Sequence, residues 1–323
     1  MKKRALITGI NGMDGSHLAD FLLTKNYDVF GLIRKTPSDN IINILDEITL
    51  YNCDLTDFKT LTKIVNEINP DEIYNLGSES FIGKEWDSII NLSNAITNGT
   101  LHLLEIIKNY KTKKIKLFQA GSSEMYGNFN GKVDYDTPFN PTSIYGTSKV
   151  FSHNISNNYR NVYDLYVVNG ILFNHESERR KHHFITRKIT DGVAKIKLGL
   201  IDNITIGDLQ TKRDWGYSPD FVKGMWLSMQ QDTSDNYIFC TGIVHSIKDL
   251  LNNAFNVIGV NNWSKYVLID NNFNRINEEK NITGDLKKTN KSLNWLHETN
   301  FEDMIKKMVL NDIKINEKSI ICK

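Results

Sequence analysis

Cysteine is scarce in this chain. Cys53, Cys240 and Cys322 are the whole complement, and their spacing fits neither a metal cage nor a disulfide framework. Excess charge of either sign is also missing. Lysine plus arginine number 39 against 38 acidic residues, a formal net charge of +1, so no bulk field favours nucleic acid or a membrane surface. No apolar run reaches the length of a membrane span, and the stretch after Met1-Lys2-Lys3-Arg4 is too short for a secretion signal. These absences predict a cytoplasmic protein with no metal, in which any anion is recognised by a few placed cations.

What is present suits a large core. With 323 residues, 40% hydrophobic and 24% charged, the chain has room for one or two lobes. Short β-branched runs predict strands at Ala5–Thr8, Val29–Ile33, Ile48–Tyr51, Glu72–Leu76, Ile115–Ala120 and Leu165–Val168. Helical patterns alternate with them at Ser16–Lys25, Phe58–Ile68, Asn91–Lys108 and Ile144–Tyr159. Near-continuous apolar strands in such an alternation imply an α/β fold: a doubly wound parallel Rossmann sheet covered on both faces. From about Glu176 the rhythm changes, which predicts a smaller α+β substrate-binding lobe. The expected division is residues 1–175 for a dinucleotide and 176–323 mainly for substrate, with some chain crossing back. The lysine-rich end after Asn311 reads as a solvated tail.

The first turn carries the cofactor signal. Gly9-Ile10-Asn11-Gly12-Met13-Asp14-Gly15 places glycines three apart, directly after a strand and before a helix. Such a turn brings backbone close to a pyrophosphate and points a helix N-terminus at it. Where NAD sites carry an acidic residue, after the second strand, this chain has Arg34-Lys35, which suits the 2′-phosphate of NADP. Asp54-Leu55 and Leu76-Gly77-Ser78 follow the third and fourth strands and are expected beside adenine and pyrophosphate.

Two segments carry the chemistry. Tyr145 and Lys149 are spaced to share one helix face, where an ammonium favours a phenolate and makes it a usable base. Ser122 and Glu124 follow the fifth strand and are expected to face them across one crevice. A plain dehydrogenase has no use for a second base, so Glu124 points to oxidation followed by elimination.

At these residues the chain resembles a known family, the GDP-mannose 4,6-dehydratases of the extended short-chain dehydrogenase/reductase superfamily. Leu6-Ile7-Thr8-Gly9, Asp14-Gly15-Ser16, Tyr74-Asn75-Leu76-Gly77, Gln119-Ala120 and Tyr126-Gly127 carry the likeness. So do Asn169 through Ser177, Thr186-Arg187-Lys188-Ile189 and Arg213-Asp214-Trp215-Gly216. The resemblance implies that Tyr145 takes the C4 hydroxyl proton while hydride passes to NADP. Glu124 then removes the C5 proton as water leaves C6, and hydride returns to C6. Ser122, where the family usually has threonine, would hydrogen-bond the sugar, and Lys149 would bind the nicotinamide ribose. A cofactor regenerated in each turnover is expected to stay bound. The resemblance also assigns His175 and Arg180 to the cofactor, Arg213 and Arg275 to the substrate diphosphate, and Lys188 and Asn174 to its vicinity. Glu278 would meet the guanine edge or ribose.

Departures from the family pattern lie near the expected sugar pocket. They include Ser80-Phe81-Ile82-Gly83-Lys84-Glu85, Gly121, Ile144-Tyr145-Gly146 and Lys181-His182-His183. Small residues at Gly83 and Gly121 are expected to admit a bulkier C2 substituent. GDP-N-acetylglucosamine is therefore weighed beside GDP-mannose, with a GDP-heptose behind it. A nucleotide-sugar epimerase or reductase of the same fold is the rival enzyme, and an NADP-sensing binding module the rival without chemistry. The resemblance further implies a homodimer or homotetramer, in which the loop from Arg34 to Ser38 reaches a neighbouring cofactor site.

Overall fold

A computed structural model of the chain describes residues 1–78, 86–270 and 281–321. Arg275, Glu278, the Ser80–Glu85 departure with Gly83, and Cys322 lie outside the described residues. Five strands open the sheet: β1 (Arg4–Thr8), β2 (Asp28–Ile33), β3 (Ile48–Asn52), β4 (Glu72–Asn75) and β5 (Lys116–Ala120). Val167–Leu172 and Asn236–Phe239 complete it. The seven strands run parallel in the order Asn236–Phe239, Val167–Leu172, β5, β4, β1, β2, β3. Every residue of Val167–Leu172 is buried, as expected of a central parallel strand covered on both faces.

Helices α1 (Met13–Thr24), α2 (Phe58–Ile68), α3 (Trp86–Asn109) and α4 (Ile144–Tyr163) come after β1, β3, β4 and β5. Next come α5 (Ile185–Lys197), α6 (Ser218–Met229), α7 (Ile247–Val257), α8 (Lys287–Leu293) and α9 (Phe301–Ile321). One sheet face is filled by Leu18, Leu22, Phe221, Met225 and Trp295 from α1, α6 and the segment after α8. The other is filled by Leu61, Val65, Leu103, Leu104 and Tyr159 from α2, α3 and α4. A second core joins Ile189, Val193, Leu250, Phe255, Met304 and Met308 of α5, α7 and α9. The chain does cross back: α6 packs on α1, and Asn236–Phe239 pairs with Val167–Leu172 at the sheet edge. Among the described residues no helix is long and apolar enough to cross a membrane.

One sequence expectation is overturned in part. The segment after Asn311 continues α9 to Ile321, and Asp312 and Ile313 are buried, with Ile313 in the second core; from Lys314 onward the helix is exposed, apart from half-buried Asn316. Asp312, 1% exposed, lies 2.6 Å from the Arg187 guanidinium and accepts a 2.7 Å hydrogen bond from Thr190 Oγ1. Burial pushes the Asp312 carboxyl up to about 6 despite the Arg187 charge. Removing one member of such a pair strands the other, so Asp312→Ala is expected to lose about 3–5 kcal/mol of stability. Urea unfolding measures this, and the double replacement Asp312→Leu with Arg187→Met is expected to recover most of the loss.

Candidate active site

All seven strands end on one edge, and their order reverses beside β1, the position at which an open α/β sheet forms a ligand crevice. The glycine turn borders this crevice. Gly9 has φ +70°, and a Cβ on it would lie 2.7 Å from the Gly77 Cα. A Cβ on Gly15 would collide with the Gly9 carbonyl. Both glycines draw the start of α1 down onto the loop after β4. Gly12 caps α1 without a side-chain hydrogen bond, which suits the helix end to an anion. Met13 begins the helix and is buried.

Asn11 ties the glycine turn to the loop after β2. Its Nδ2 donates to Thr36 O (3.0 Å), its Oδ1 receives the Ser38 N–H (3.0 Å), and Ser38 Oγ donates to Asn11 O (3.0 Å). The Arg34–Ser38 loop is thereby strapped to its own glycine turn, with the exposed Arg34 and Lys35 at the end of β2. Asp54 is held low by hydrogen bonds from Thr56, with a further contribution from the Arg34 charge. Leu55 is buried against the positions where Gly77 and Gly99 lack side chains. Leu76 and Ser78 are half-buried, and between them Gly77 N donates to Thr8 Oγ1 (2.8 Å).

The chemical segments meet through a close backbone approach. Ser122 caps the single turn Ser123–Tyr126, its Oγ receiving the Glu124 N–H at 3.2 Å. Ser143 caps α4 by receiving the Gly146 N–H at 3.0 Å. A Cβ at residue 146 would lie 2.6 Å from the Glu124 carbonyl oxygen, so glycine lets α4 rest directly on the Glu124 turn. Tyr145 consequently hydrogen-bonds Ser122 and feels the Glu124 carboxylate. Lys149, 4% exposed, donates to Ala120 O at 2.8 Å, with its ammonium 5.6 Å from the centre of the Tyr145 ring.

Burial is the largest influence on both members of the tyrosine–lysine pair. Burial pushes Tyr145 up to about 12; the Ser122 hydrogen bond and Arg180 pull it down, while Glu124 and Asp14 push it further up. Burial also depresses Lys149 to about 8, against the opposing pull of Asp14.

A third cluster joins the start of α1 to the segment after Leu172. His175 is 8% exposed; its Nδ1 faces Phe173 O at 2.7 Å and its Nε2 faces the Asp14 carboxylate at 2.8 Å. Two acceptors require two N–H groups, so the ring is an imidazolium. Burial opposes that charge, but Asp14 raises the His175 pKa above its ordinary value. Asp14 also receives the Ser218 hydroxyl at 2.7 Å. Burial would raise Asp14, yet His175, Ser218 and Arg180 hold it far below the usual carboxylate range. Arg180 donates to Glu176 (2.5 Å) and to His175 O (2.6 Å).

Residues 6–308 match the sequence model of a family described as GDP-mannose 4,6 dehydratase. GDP-mannose 4,6 dehydratase 2 of Arabidopsis thaliana is 39% identical over 328 residues, covering 97% of this chain and 88% of that protein. GDP-mannose 4,6 dehydratase of Homo sapiens is 37% identical over 340 residues, covering 96% and 91%. The chain belongs to the GDP-mannose 4,6-dehydratase family. Its fold is shared more widely: dTDP-glucose 4,6-dehydratase from Bacillus anthracis, solved in complex with NAD, superposes with TM-score 0.84 at 20% identity, covering 98% of each chain.

In this family member the cleft residues expected to meet substrate are less tightly gathered than those of the cofactor side. Asn174, Lys188 and Arg213 are half-buried on three separate segments. Asn174 O receives the Gly216 N–H (2.9 Å), and Arg213 Nη1 donates to Lys212 O (2.7 Å). The next residue, Asp214, is 1% exposed and receives Thr241 N, Thr241 Oγ1 and Gly242 N at 2.7–2.8 Å. Gly121 does not widen the cleft. A Cβ there would face Gly170 O (2.9 Å) and Met125 Cε (3.2 Å), inside the packing between strands.

Sequence reasoning missed Ser218, Glu176 and Arg187. Arg187 donates to the carbonyls of Glu178 and Arg180, which ties the Arg180 segment to Asp312 on α9. Its place inside the Thr186–Ile189 motif was the available signal.

Proposed function

We propose that this chain is an NADP-dependent GDP-sugar 4,6-dehydratase acting on GDP-mannose. The observation that carries the reading is the seating of α4 on the Glu124 turn, which puts Ser122, Glu124, Tyr145 and Lys149 together at the open edge of the sheet. Membership of the family supports the substrate, since relatives at 37–39% identity bear that activity in their names.

The residues present fit a dinucleotide. Gly9, Gly15 and Gly77 let the turn, the start of α1 and the loop after β4 pack closely at the strand ends, and Met13 opens a helix without a side-chain cap, leaving its N–H groups for a phosphate. A carboxylate at the head of α1 would repel a pyrophosphate, but Asp14 is offset by the His175 imidazolium and the Arg180 guanidinium. Asp54, Leu55, Leu76 and Ser78 would line the adenine and pyrophosphate path, and Arg34 and Lys35 would hold a 2′-phosphate. A bound nicotinamide would supply the acceptor for hydride from sugar C4 and the donor for its delivery to C6. Tyr145 would act as the phenolate, the form that the Ser122 hydrogen bond and the Arg180 charge favour, and take the C4 hydroxyl proton. The 4-keto group acidifies C5; the Glu124 carboxylate removes that proton and passes it to the C6 hydroxyl, which departs as water, and the proton held by Tyr145 returns to C5 as C6 is reduced. Lys149 holds its positive charge beside Tyr145 throughout. Arg213, with Asn174 and Lys188, would receive the diphosphate.

The test is mass spectrometry of purified protein with GDP-mannose, GDP-N-acetylglucosamine, and UDP- and dTDP-hexoses. A product of GDP-mannose lighter by one water is expected. Turnover without a mass change would establish an epimerase, and binding without product a sensing module. A selective gain with the amino sugar would move the substrate to GDP-N-acetylglucosamine. For the cofactor, Arg34→Leu with Lys35→Leu is expected to weaken NADP roughly 10–100-fold and leave NAD nearly unchanged in titration calorimetry.

A further inference from the structure

Beneath the candidate site, five polar side chains are almost wholly out of water where a parallel sheet would ordinarily be aliphatic. Thr8 and Thr100 are 0% exposed, Ser152 1%, Gln119 2% and Asn75 6%. Thr8, Asn75 and Gln119 lie at the carboxyl ends of β1, β4 and β5, and Thr100 and Ser152 on α3 and α4. Buried amides and hydroxyls are tolerated only when paired, and these are.

The pairing has a direction. The Gly77 N–H donates to Thr8 Oγ1 (2.8 Å), and the Thr8 hydroxyl donates to Asn75 Oδ1 (2.8 Å). Asn75 Nδ2 donates to Gln119 Oε1 (2.8 Å), and Gln119 Nε2 donates to Ala120 O (3.3 Å). That carbonyl is the one that receives the Lys149 ammonium at 2.8 Å. Thr100 braces the middle of the chain, its Oγ1 lying 3.2 Å from Gln119 Oε1 and 3.1 Å from Ser152 Oγ. Because Thr8 has one proton to give, the Gly77 contact fixes which way it points. That choice orients the Asn75 amide, which in turn orients Gln119. Reversing either amide would set oxygen against oxygen at one end.

We infer that Gln119 is a positioning residue for Lys149, and that the Thr8–Asn75–Gln119 chain couples the backbone between Leu76 and Ser78 to the Lys149 ammonium. The inference rests on the role given to Lys149 above and extends it to side chains that touch neither sugar nor cofactor. Ala120 O serves two donors, and Gln119 keeps it turned toward the ammonium and polarised. Around Lys149, the charged and titratable groups are Asp14 from the head of α1 and Tyr145 one turn earlier on α4, itself beside Glu124 and Arg180. From α3 the neighbouring groups are hydroxyls, with Ser93 Oγ 3.1 Å from Ser148 Oγ.

The test is the pH profile of kcat for Gln119→Glu and Gln119→Leu. A carboxylate at residue 119 has no proton to give Ala120 O and adds a negative charge below the ammonium. It is expected to move the alkaline limb up by roughly one pH unit or more and to lower kcat about tenfold. Leucine releases the carbonyl without adding charge and is expected to move the limb down with a similar loss. Losses in kcat with both limbs in place would mean ordinary packing and overturn the inference. A second pair guards against misfolding: Thr8→Val is expected to lower kcat about tenfold and Thr8→Ser to restore it. Equal behaviour of those two would also overturn it. A wild-type protein that turns over no sugar nucleotide removes the proposed function itself. An active wild type with unshifted Gln119 variants removes only the chain.

Discussion

Glu124→Gln is expected to stop water loss while oxidation at C4 continues. The turnover number for dehydration falls about 10³-fold, the scale of a lost general base, and the reduced-nicotinamide absorbance accumulates on the protein with GDP-mannose present. The substitution keeps the shape of the turn. Ser122 Oγ still receives the residue-124 N–H, Gly127 N still donates to the residue-124 carbonyl at 3.2 Å, and Gly146 still lets α4 rest there. Only the carboxylate is lost. Because Glu124 is among the groups that push Tyr145 up, its removal is also expected to shift the pH dependence of the oxidation step to lower pH. An epimerase has no C5 proton to remove by this route. Undiminished water loss in the variant would therefore exclude Glu124 as the base.

The parts of this site that were legible in the sequence are those set by short spacing. Gly9, Gly12 and Gly15 lie within one turn, and Tyr145 and Lys149 within one helical repeat, so local periodicity places each group against its strand end. The α2 boundaries at Phe58 and Ile68 follow from an Asp57 cap and an apolar stripe, both local as well. What stayed illegible is set by packing between distant segments. Asp14 meets His175 and Ser218 only because the start of α1, the strand exit after Leu172 and the head of α6 converge. Gly146 and Gly121 look alike as small residues near a pocket. The first opens space for a backbone approach to Glu124, and the second is filled by the neighbouring strand. Only the direction of the missing Cβ distinguishes them. The misread tail has the same origin: Asp312 is charged, and its burial depends on Arg187 from a helix more than a hundred residues earlier.

Lys149→Met is expected to lower kcat about 10³-fold and, at the same time, to make the protein more stable. Lys149 is charged at neutral pH in a position that burial depresses to about 8. Keeping an ammonium there, with one hydrogen bond to Ala120 O, opposes folding by up to about 3 kcal/mol, the equivalent of the shift from its ordinary value. Between pH 8 and the ordinary lysine range the unfolded chain binds more protons than the folded one, so wild-type stability rises with pH across that window. Methionine fills similar volume, carries no proton, and should leave the urea midpoint flat there and higher at neutral pH. Turnover moves the opposite way. As pH passes about 8, the wild type loses the charge beside Tyr145 and kcat declines, whereas the methionine variant has no such limb to lose. A variant that retains the decline near pH 8 would assign that limb to another group. Opposite signs for activity and stability across the same pH window would mark Lys149 as a charge retained for chemistry against its folding cost.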